Sequence, residues 1–312
     1  MYQTAHVKDP AEQARLQPWV QMECYQLSHS RQVSQVECLE LGSQKICRER
    51  QDASIQKLGI APADFCTLSI SRCGPAVRFS EQQCETGDTV YFMPGNVEFD
   101  VYVPAGVETI YVGFNQDEFL QGIRALNPAL WEVPPQDVVP LATGCHHTFR
   151  ETIDHCLTAA RDARQRGQML HMPVLRSLLV ESVSLIAAAT PRGRMPSYSN
   201  RRRALRIGRA ARRFAEDQIM ADELPTVTDI CKELRVSERT LQYSFREYIG
   251  LSPIAYLRAL RLNRVRAELA NADPQSTTVT QVAMRYGFVH LGRFAGDYKR
   301  MFGVTPSETF NS

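Results

Sequence analysis

Two stretches in the last third of the chain repeat one plan, and that repetition restricts the fold more than any other feature. "TVTDICKELRVSERTLQYSFREYIG", ending at Gly250, reads as a helix from about Val227 to Leu234, a tight turn at Arg235 and Val236, and a second helix started by Ser237. "TVTQVAMRYGFVHLGRFAGDYKRMFGVTP" reads as a helix holding Val282 and Ala283, a turn at Gly287 and Phe288, and a helix with Phe294 and Tyr298 on its core side. Gly250 and Gly303 close the two units at matching places, and Ser252 with Pro253 starts a long helix, "PIAYLRALRLNRVRAELA", between them. The spacing predicts two helix-turn-helix units, over about 227–248 and 279–302, held in fixed relation by one connector.

The second helix of the first unit has two chemically different faces. Leu241 and Phe245, four apart, face a core; Arg239, Gln242, Tyr243 and Arg246 fall at i, i+3, i+4 and i+7 on the other side. Arginine bonds a guanine edge and glutamine an adenine edge bidentately, and an α-helix fits the major groove. A polar helix face standing alone is usually just solvated. The second copy changes the reading, because two linked units reach successive major-groove faces about 34 Å apart.

Charge follows the same division. From Asn200 onward there are 19 Lys and Arg against 12 Asp and Glu, so this part carries +7 while the rest carries −5 within the net +2 of all 312 residues. A basic third on an acidic body is the electrostatic outline of a nucleic-acid-binding module joined to something else. The first part supplies that something else. Residues 55–115 read as short strands with Gly and Pro punctuation, and Val97, Phe99, Val101 and Val103 alternate with Glu98, Asp100 and Tyr102, the period of a half-buried strand. A small barrel or sandwich is expected, followed by helices in "QDEFLQGIRAL", "CHHTFRETIDHCLTAARDARQ" and "MPVLRSLLVESVSLIAAA". "PRGRMPSYSNRRR", residues 191–203, reads as a linker between a domain at 1–190 and another at 204–312. The fold class is therefore α+β: a strand-rich N-terminal domain with helices, then an all-α domain with two helix-turn-helix motifs.

"RTLQYSFREYIGLSPIAYLRALRLNRVRAEL" and "VAMRYGFVHLGRFAGDYKRMFGVTP" resemble the AraC/XylS family of transcription regulators over roughly residues 205–311. "GDTVYFMPG" resembles the barrel hairpin of such regulators, and "PGNVEFDVYVP" with "QSTTVTQVAMRYGFVHLGRFAGDY" is similar to ethanolamine-operon regulators. The resemblance implies a one-component transcription regulator, an activator, whose N-terminal cupin-like barrel binds an effector or another copy of the chain. Promoter DNA, RNA polymerase, an unidentified small molecule and a second protomer are the implied partners, and no cofactor is implied. It places Arg239, Gln242 and Tyr243 where the family reads bases and Arg246 near the phosphates, with Ser237, Lys299 and Arg300 as further backbone contacts. There are departures: Arg235 stands where a turn glycine is usual, Cys231 where a small alanine is usual, and Gly292, Ala295 and Gly296 hold the groove-facing positions of the second recognition helix. Small residues cannot make bidentate contacts, so the second unit is expected to position the protein and read shape, with His290 and Arg293 as its polar contacts. Within the barrel, Phe92, Phe99, Tyr111 and Phe114 are candidate effector-lining residues, although any small barrel is filled by such side chains.

Other classes fit less well. A cupin-type metalloenzyme fused to a DNA-binding domain needs imidazole ligands in the barrel, but His6, His29, His146, His147, His155, His171 and His290 all lie outside 55–115. No catalytic triad or phosphate-cradling glycine loop stands out, so neither catalytic nor metal residues are expected. Nine cysteines without a C-x-x-C pair suggest ordinary thiols of a reducing compartment, with Cys38 and Cys47 as a conceivable redox pair. The absence of a long apolar run and of a basic-then-apolar start predicts a cytoplasmic protein with no membrane association.

Overall fold

The computed structural model describes residues 1–72, 77–83, 89–124, 131, 133, 135–142, 144–189, 199–273 and 275–311. They form two compact units: Met1–Cys24 with Gln32–Arg194, and Tyr25–Arg31 with Met195–Ser312. The short N-terminal segment 25–31 thus groups with the C-terminal unit, which the sequence reading placed wholly after residue 203. Residues 191–198 of the expected linker lie outside the described residues, and 199–203 are already helical, because a helix spans Ser199–Met220.

Strands begin far earlier than residue 55. The strands are β1 (Tyr2–Val7), β2 (Gln21–Gln26), β3 (Ser34–Leu41), β4 (Gln44–Gln51), β5 (Ile55–Ile60), β6 (Phe65–Arg72), β7 (Arg78–Phe79), β8 (Gln82–Gln83), β9 (Thr89–Met93), β10 (Glu98–Val103), β11 (Glu108–Asn115) and β12 (Val139–Ala142). One sheet runs β1-β3-β4-β11-β6-β9-β12, with all its neighbours antiparallel, and the other β2-β5-β10-β7-β8, antiparallel from β5 through β8. Both sheets are open among the described residues and face each other across one core, so the expected strand-rich domain is present and a closed barrel is not shown.

The seven-stranded sheet is covered on both faces. Toward the other sheet it presents Val36, Cys38, Cys47, Tyr91 and Met93, which join Ile55, Phe79, Phe99, Val101 and Val103 in one core. On its opposite face Leu39, Ile46, Leu68, Phe92, Val112 and Phe114 pack beneath three helices, α2 (Gln116–Arg124), α3 (His146–Arg166) and α4 (Met172–Ala189). A short helix α1 (Pro10–Arg15) is capped by Asp9, whose side chain accepts from Ala11 N at 2.8 Å. The alternation read in β10 also needs correction: Asp100 is buried rather than solvated, and the Arg78 guanidinium donates to it at 2.7 Å.

The C-terminal unit is built on α5 (Ser199–Met220), α6 (Val227–Leu234), α7 (Glu238–Ile249), α8 (Pro253–Asn271), α9 (Val279–Arg285), α10 (Leu291–Phe302) and α11 (Pro306–Phe310). Local chemistry fixes nearly every boundary. Thr226, Ser237, Ser252, Thr278 and Thr305 each accept a hydrogen bond from the backbone three residues on, Pro253 and Pro306 sit in first turns, and Gly250 and Gly303 end α7 and α10 in the left-handed conformation. The segment 25–31 closes against this unit. Gln26 N donates to Asn263 Oδ1 at 3.0 Å, Asn263 Nδ2 returns a bond to Gln26 O at 2.8 Å, and Gln26 Nε2 reaches Met301 O at 2.7 Å.

Two substitutions test how this unit is held. Arg235 ends α6 at φ 51°, a region that crowds any Cβ, so Arg235→Gly should raise stability by about 1 kcal/mol. At Gly208 on α5, a Cβ would meet Tyr248 Cβ at 2.5 Å, so Gly208→Ala should force α5 off α7 and cost about 1–3 kcal/mol. Urea unfolding followed by circular dichroism measures both, and the two variants should move the midpoint in opposite directions.

Candidate nucleic-acid interface and the N-terminal cavity

Helix α7 presents its two faces as its spacing requires. Leu241, Phe245, Tyr248 and Ile249 are buried, with Phe245 packed on Tyr256 of α8 at 5.3 Å between ring centres. Arg239, Gln242, Tyr243 and Arg246 are exposed on the other side, Tyr243 with half its surface open although it is large and apolar. Among the described residues none of these four side chains has an intramolecular polar partner, so their donors and acceptors remain available. The Ser237 hydroxyl is already engaged: it accepts from Thr240 N at 3.2 Å and lies 2.9 Å from Thr240 Oγ1. Its first role is to start α7 in the correct place, and that in turn aims Arg239 and Gln242.

The second unit is chemically different. Phe294, Tyr298 and Phe302 anchor α10 in a core with Val282, Ala283 and Phe288, with Tyr298 and Phe302 ring centres 4.7 Å apart. On the outer side Gly292, Ala295 and Gly296 are exposed, and a Cβ at either glycine would meet nothing within 4 Å. His290 occupies the N-cap position of α10 but makes no side-chain cap bond, and His290, Arg293 and Lys299 are all exposed. Arg300 pairs with Asp297 at 3.4 Å, and Asp297 also takes the Arg258 guanidinium of α8. Burial, together with the neighbouring Arg293 and Arg300, pulls the Arg258 guanidinium below its usual range, as a crowd of positive charge should. This face is smooth, small-featured and cationic at its edges.

In the N-terminal unit a cavity of about 80 Å³ lies between the two sheets, lined among others by Trp19, Met22, Phe79, Tyr91, Phe99 and Tyr111. Two of the four expected effector-lining residues, Phe99 and Tyr111, are therefore on its wall. Phe92 and Phe114 are not: both point to the helix side of the seven-stranded sheet, where Phe92 packs on Phe119 and edge-on to Trp131 at 5.0 Å. Register explains the difference, since neighbouring residues of one strand point to opposite faces and Phe92 follows Tyr91.

The cavity also has a polar end, which no local sequence pattern marks. Lys57 of β5 forms an ion pair with Glu49 of β4, which is fully buried. Burial works against the Glu49 carboxylate, but the Lys57 ammonium and the Gln17 amide outweigh it and hold the carboxyl below its usual range. Glu49 lies on a hairpin, "SQVECLELGSQKICRERQ", that turns at Gly42-Ser43 and whose charged residues mask its alternation in the sequence. Cys38 and Cys47 are register partners in that hairpin, both are free and buried, and burial pushes the Cys47 thiol well up. Among the described residues no three His, Cys, Asp or Glu side chains are grouped to hold a metal ion, and no helix is long and apolar enough to cross a membrane.

Comparison with known proteins agrees with the C-terminal geometry. Residues 230–312 match a family described as a helix-turn-helix domain. The chain is 46% identical over 83 residues to the "Probable thc operon regulatory protein" of Rhodococcus erythropolis, covering 27% of this chain and 25% of that one. It is 42% identical over 76 residues to the XylDLEGF operon transcriptional activator 2 of Pseudomonas putida, covering 24% of this chain and 48% of that one. The matches thus span from a quarter to about half of these relatives' lengths, and they do not bear on the narrower likeness to ethanolamine-operon regulators. Among solved structures, the AraC-like transcriptional activator CuxR aligns over 86% of this chain and 96% of its own, at 15% identity and a TM-score of 0.43. Over residues 230–312, then, the chain carries a helix-turn-helix domain similar to that of AraC/XylS-type regulators.

Proposed function

We propose that the protein is a one-component transcription regulator of the cytoplasm, an activator that binds promoter DNA through its C-terminal unit and answers to a small molecule, or to self-association, through its N-terminal unit. The observation that carries this reading is the outer face of α7. Arginine, glutamine, tyrosine and arginine are held at groove-facing spacing by the Ser237 cap and left without intramolecular polar partners. In this reading Arg239, Gln242 and Tyr243 contact base edges and Arg246 the phosphates. The glycine-smooth face of α10 approaches the backbone closely, with His290, Arg293, Lys299 and Arg300 as positioning contacts. RNA polymerase is the partner that an activator requires.

A second copy of the chain is the other proposed partner. Val174, Leu178 and Leu185 lie four and seven residues apart on α4 and are 50%, 37% and 46% exposed, a stripe that a matching helix would cover. Leu178→Asp should shift sedimentation equilibrium toward monomer. A wild-type protein that is monomeric at every concentration removes this part of the proposal.

The operator is recovered by genome-wide immunoprecipitation, and binding to operator, single-base variants and random duplex is then titrated against salt. Arg239→Ala and Gln242→Ala should each cost about 1–3 kcal/mol at the operator and relax the preference at one or two base pairs. Lys299→Ala should weaken all duplexes alike and reduce the salt slope by about one. Gly296→Ala should leave base preference unchanged. Uniform loss in the α7 variants together with altered base preference in Lys299→Ala would reverse the assignment of reader and grip.

A further inference from the structure

The chemistry of the N-terminal cavity narrows what can occupy it, an inference that rests on reading the cavity as the effector site. Its walls are apolar and partly aromatic, with Phe79 stacked on Tyr91 at 5.6 Å between centres. Its volume, about 80 Å³, is far below the roughly 300–1,000 Å³ of pockets for drug-sized ligands. A dry apolar cavity of about 150 Å³ accommodates benzene. The Met22 and Met93 side chains on the wall can re-pack to supply the difference.

The charge at the polar end is closed. Glu49 accepts from Lys57 Nζ and Gln17 Nε2, from Tyr111 OH at 3.0 Å, Gln51 Nε2 at 3.3 Å and Thr109 Oγ1 at 3.4 Å. Its lone pairs are fully engaged. Lys57 carries three donors, and Glu49 is its one hydrogen-bond acceptor among the described residues, so the ammonium keeps donors for a ligand. A second buried ion pair, Arg78 with Asp100, is likewise matched, and Arg78 points away from the cavity because its neighbour Phe79 points in. An anionic ligand would set two carboxylates on one ammonium. A cationic ligand would meet Lys57 as a like charge and find Glu49 saturated. Either leaves a buried charge uncompensated.

We propose that the cavity between the two sheets takes an uncharged, mainly apolar ligand of about one six-membered ring with a short polar substituent, whose acceptor oxygen is received by the Lys57 ammonium. Lys57 then sets the depth and orientation of the ligand, and the aromatic wall contacts its ring.

Benzamide, benzoate and benzamidinium share one shape and differ in charge, so they serve as probes on the full-length protein. Binding is followed by isothermal titration and by tryptophan emission, which reports the cavity through Trp19 because Trp131, the second tryptophan, is enclosed in the other core. Benzamide should bind saturably, with benzoate and benzamidinium at least tenfold weaker. Glu49→Gln keeps the shape and removes the negative charge, so it should invert the order and favour benzoate, provided circular dichroism shows a native fold. If that variant does not fold, the wild-type ranking decides. Preference of the wild type for either charged probe overturns the ligand class while leaving the cavity as an effector site. Saturable binding by none of the three overturns both.

Discussion

Helix α8 is buried along its length on more than one side: Tyr256, Leu257, Ala259, Leu260, Leu262, Val265 and Leu269 are all nearly inaccessible. Residues at such offsets cannot share one stripe, so the helix is wrapped rather than laid on a surface. Its N-terminal turns meet the aromatic core of the first helix-turn-helix, through Tyr256 and Phe245, and its later turns meet that of the second, through Leu262, Val265 and Leu269. The spacing of the two helix-turn-helix units is thus set by one helix shared between their cores. That division of labour permits α7 and α10 to diverge: once geometry is fixed elsewhere, α10 can lose its large outer side chains and still place its backbone.

The N-terminal unit solves a different problem. Its larger sheet carries two cores, one toward the second sheet and one toward the helices, and each strand sorts its side chains between them. The helix side is filled by Phe92, Phe114, Phe119 and Trp131 in mutual ring contact, whereas the other side is left incomplete around Lys57 and Glu49. An ion pair buried in a sandwich contributes little net stability over an apolar pair of equal size, because desolvation offsets the attraction. What the pair does provide is a polar endpoint in an apolar space.

How much of this could be read in advance depended on distance along the chain. The C-terminal helices start and stop where Ser237, Ser252, Gly250 and Gly303 place them, since caps act within a turn. Helix α5 begins earlier than expected because a Ser-Asn-Arg start looks like linker composition and only its packing partner reveals it as helix. Strands β1 to β4 were passed over, their charged residues masking the alternation, and the pairing of Glu49 with Lys57 joins strands that are not neighbours in a sheet. Choosing Phe99 and Tyr111 over Phe92 and Phe114 required strand register, which composition does not carry. The membership of segment 25–31 in the C-terminal unit left no local trace at all.

That segment has a consequence for the order in which the chain can fold. The bonds between Gln26 and Asn263 span 237 residues, and those to Met301 span 275. During synthesis segment 25–31 emerges well over two hundred residues before its partners Asn263 and Met301, so the unit stays unfinished until those have left the ribosome. Loop-closure entropy grows only with the logarithm of length, so the wait costs little in stability and much in time. The C-terminal unit reaches its finished state only when segment 25–31 is present to close it.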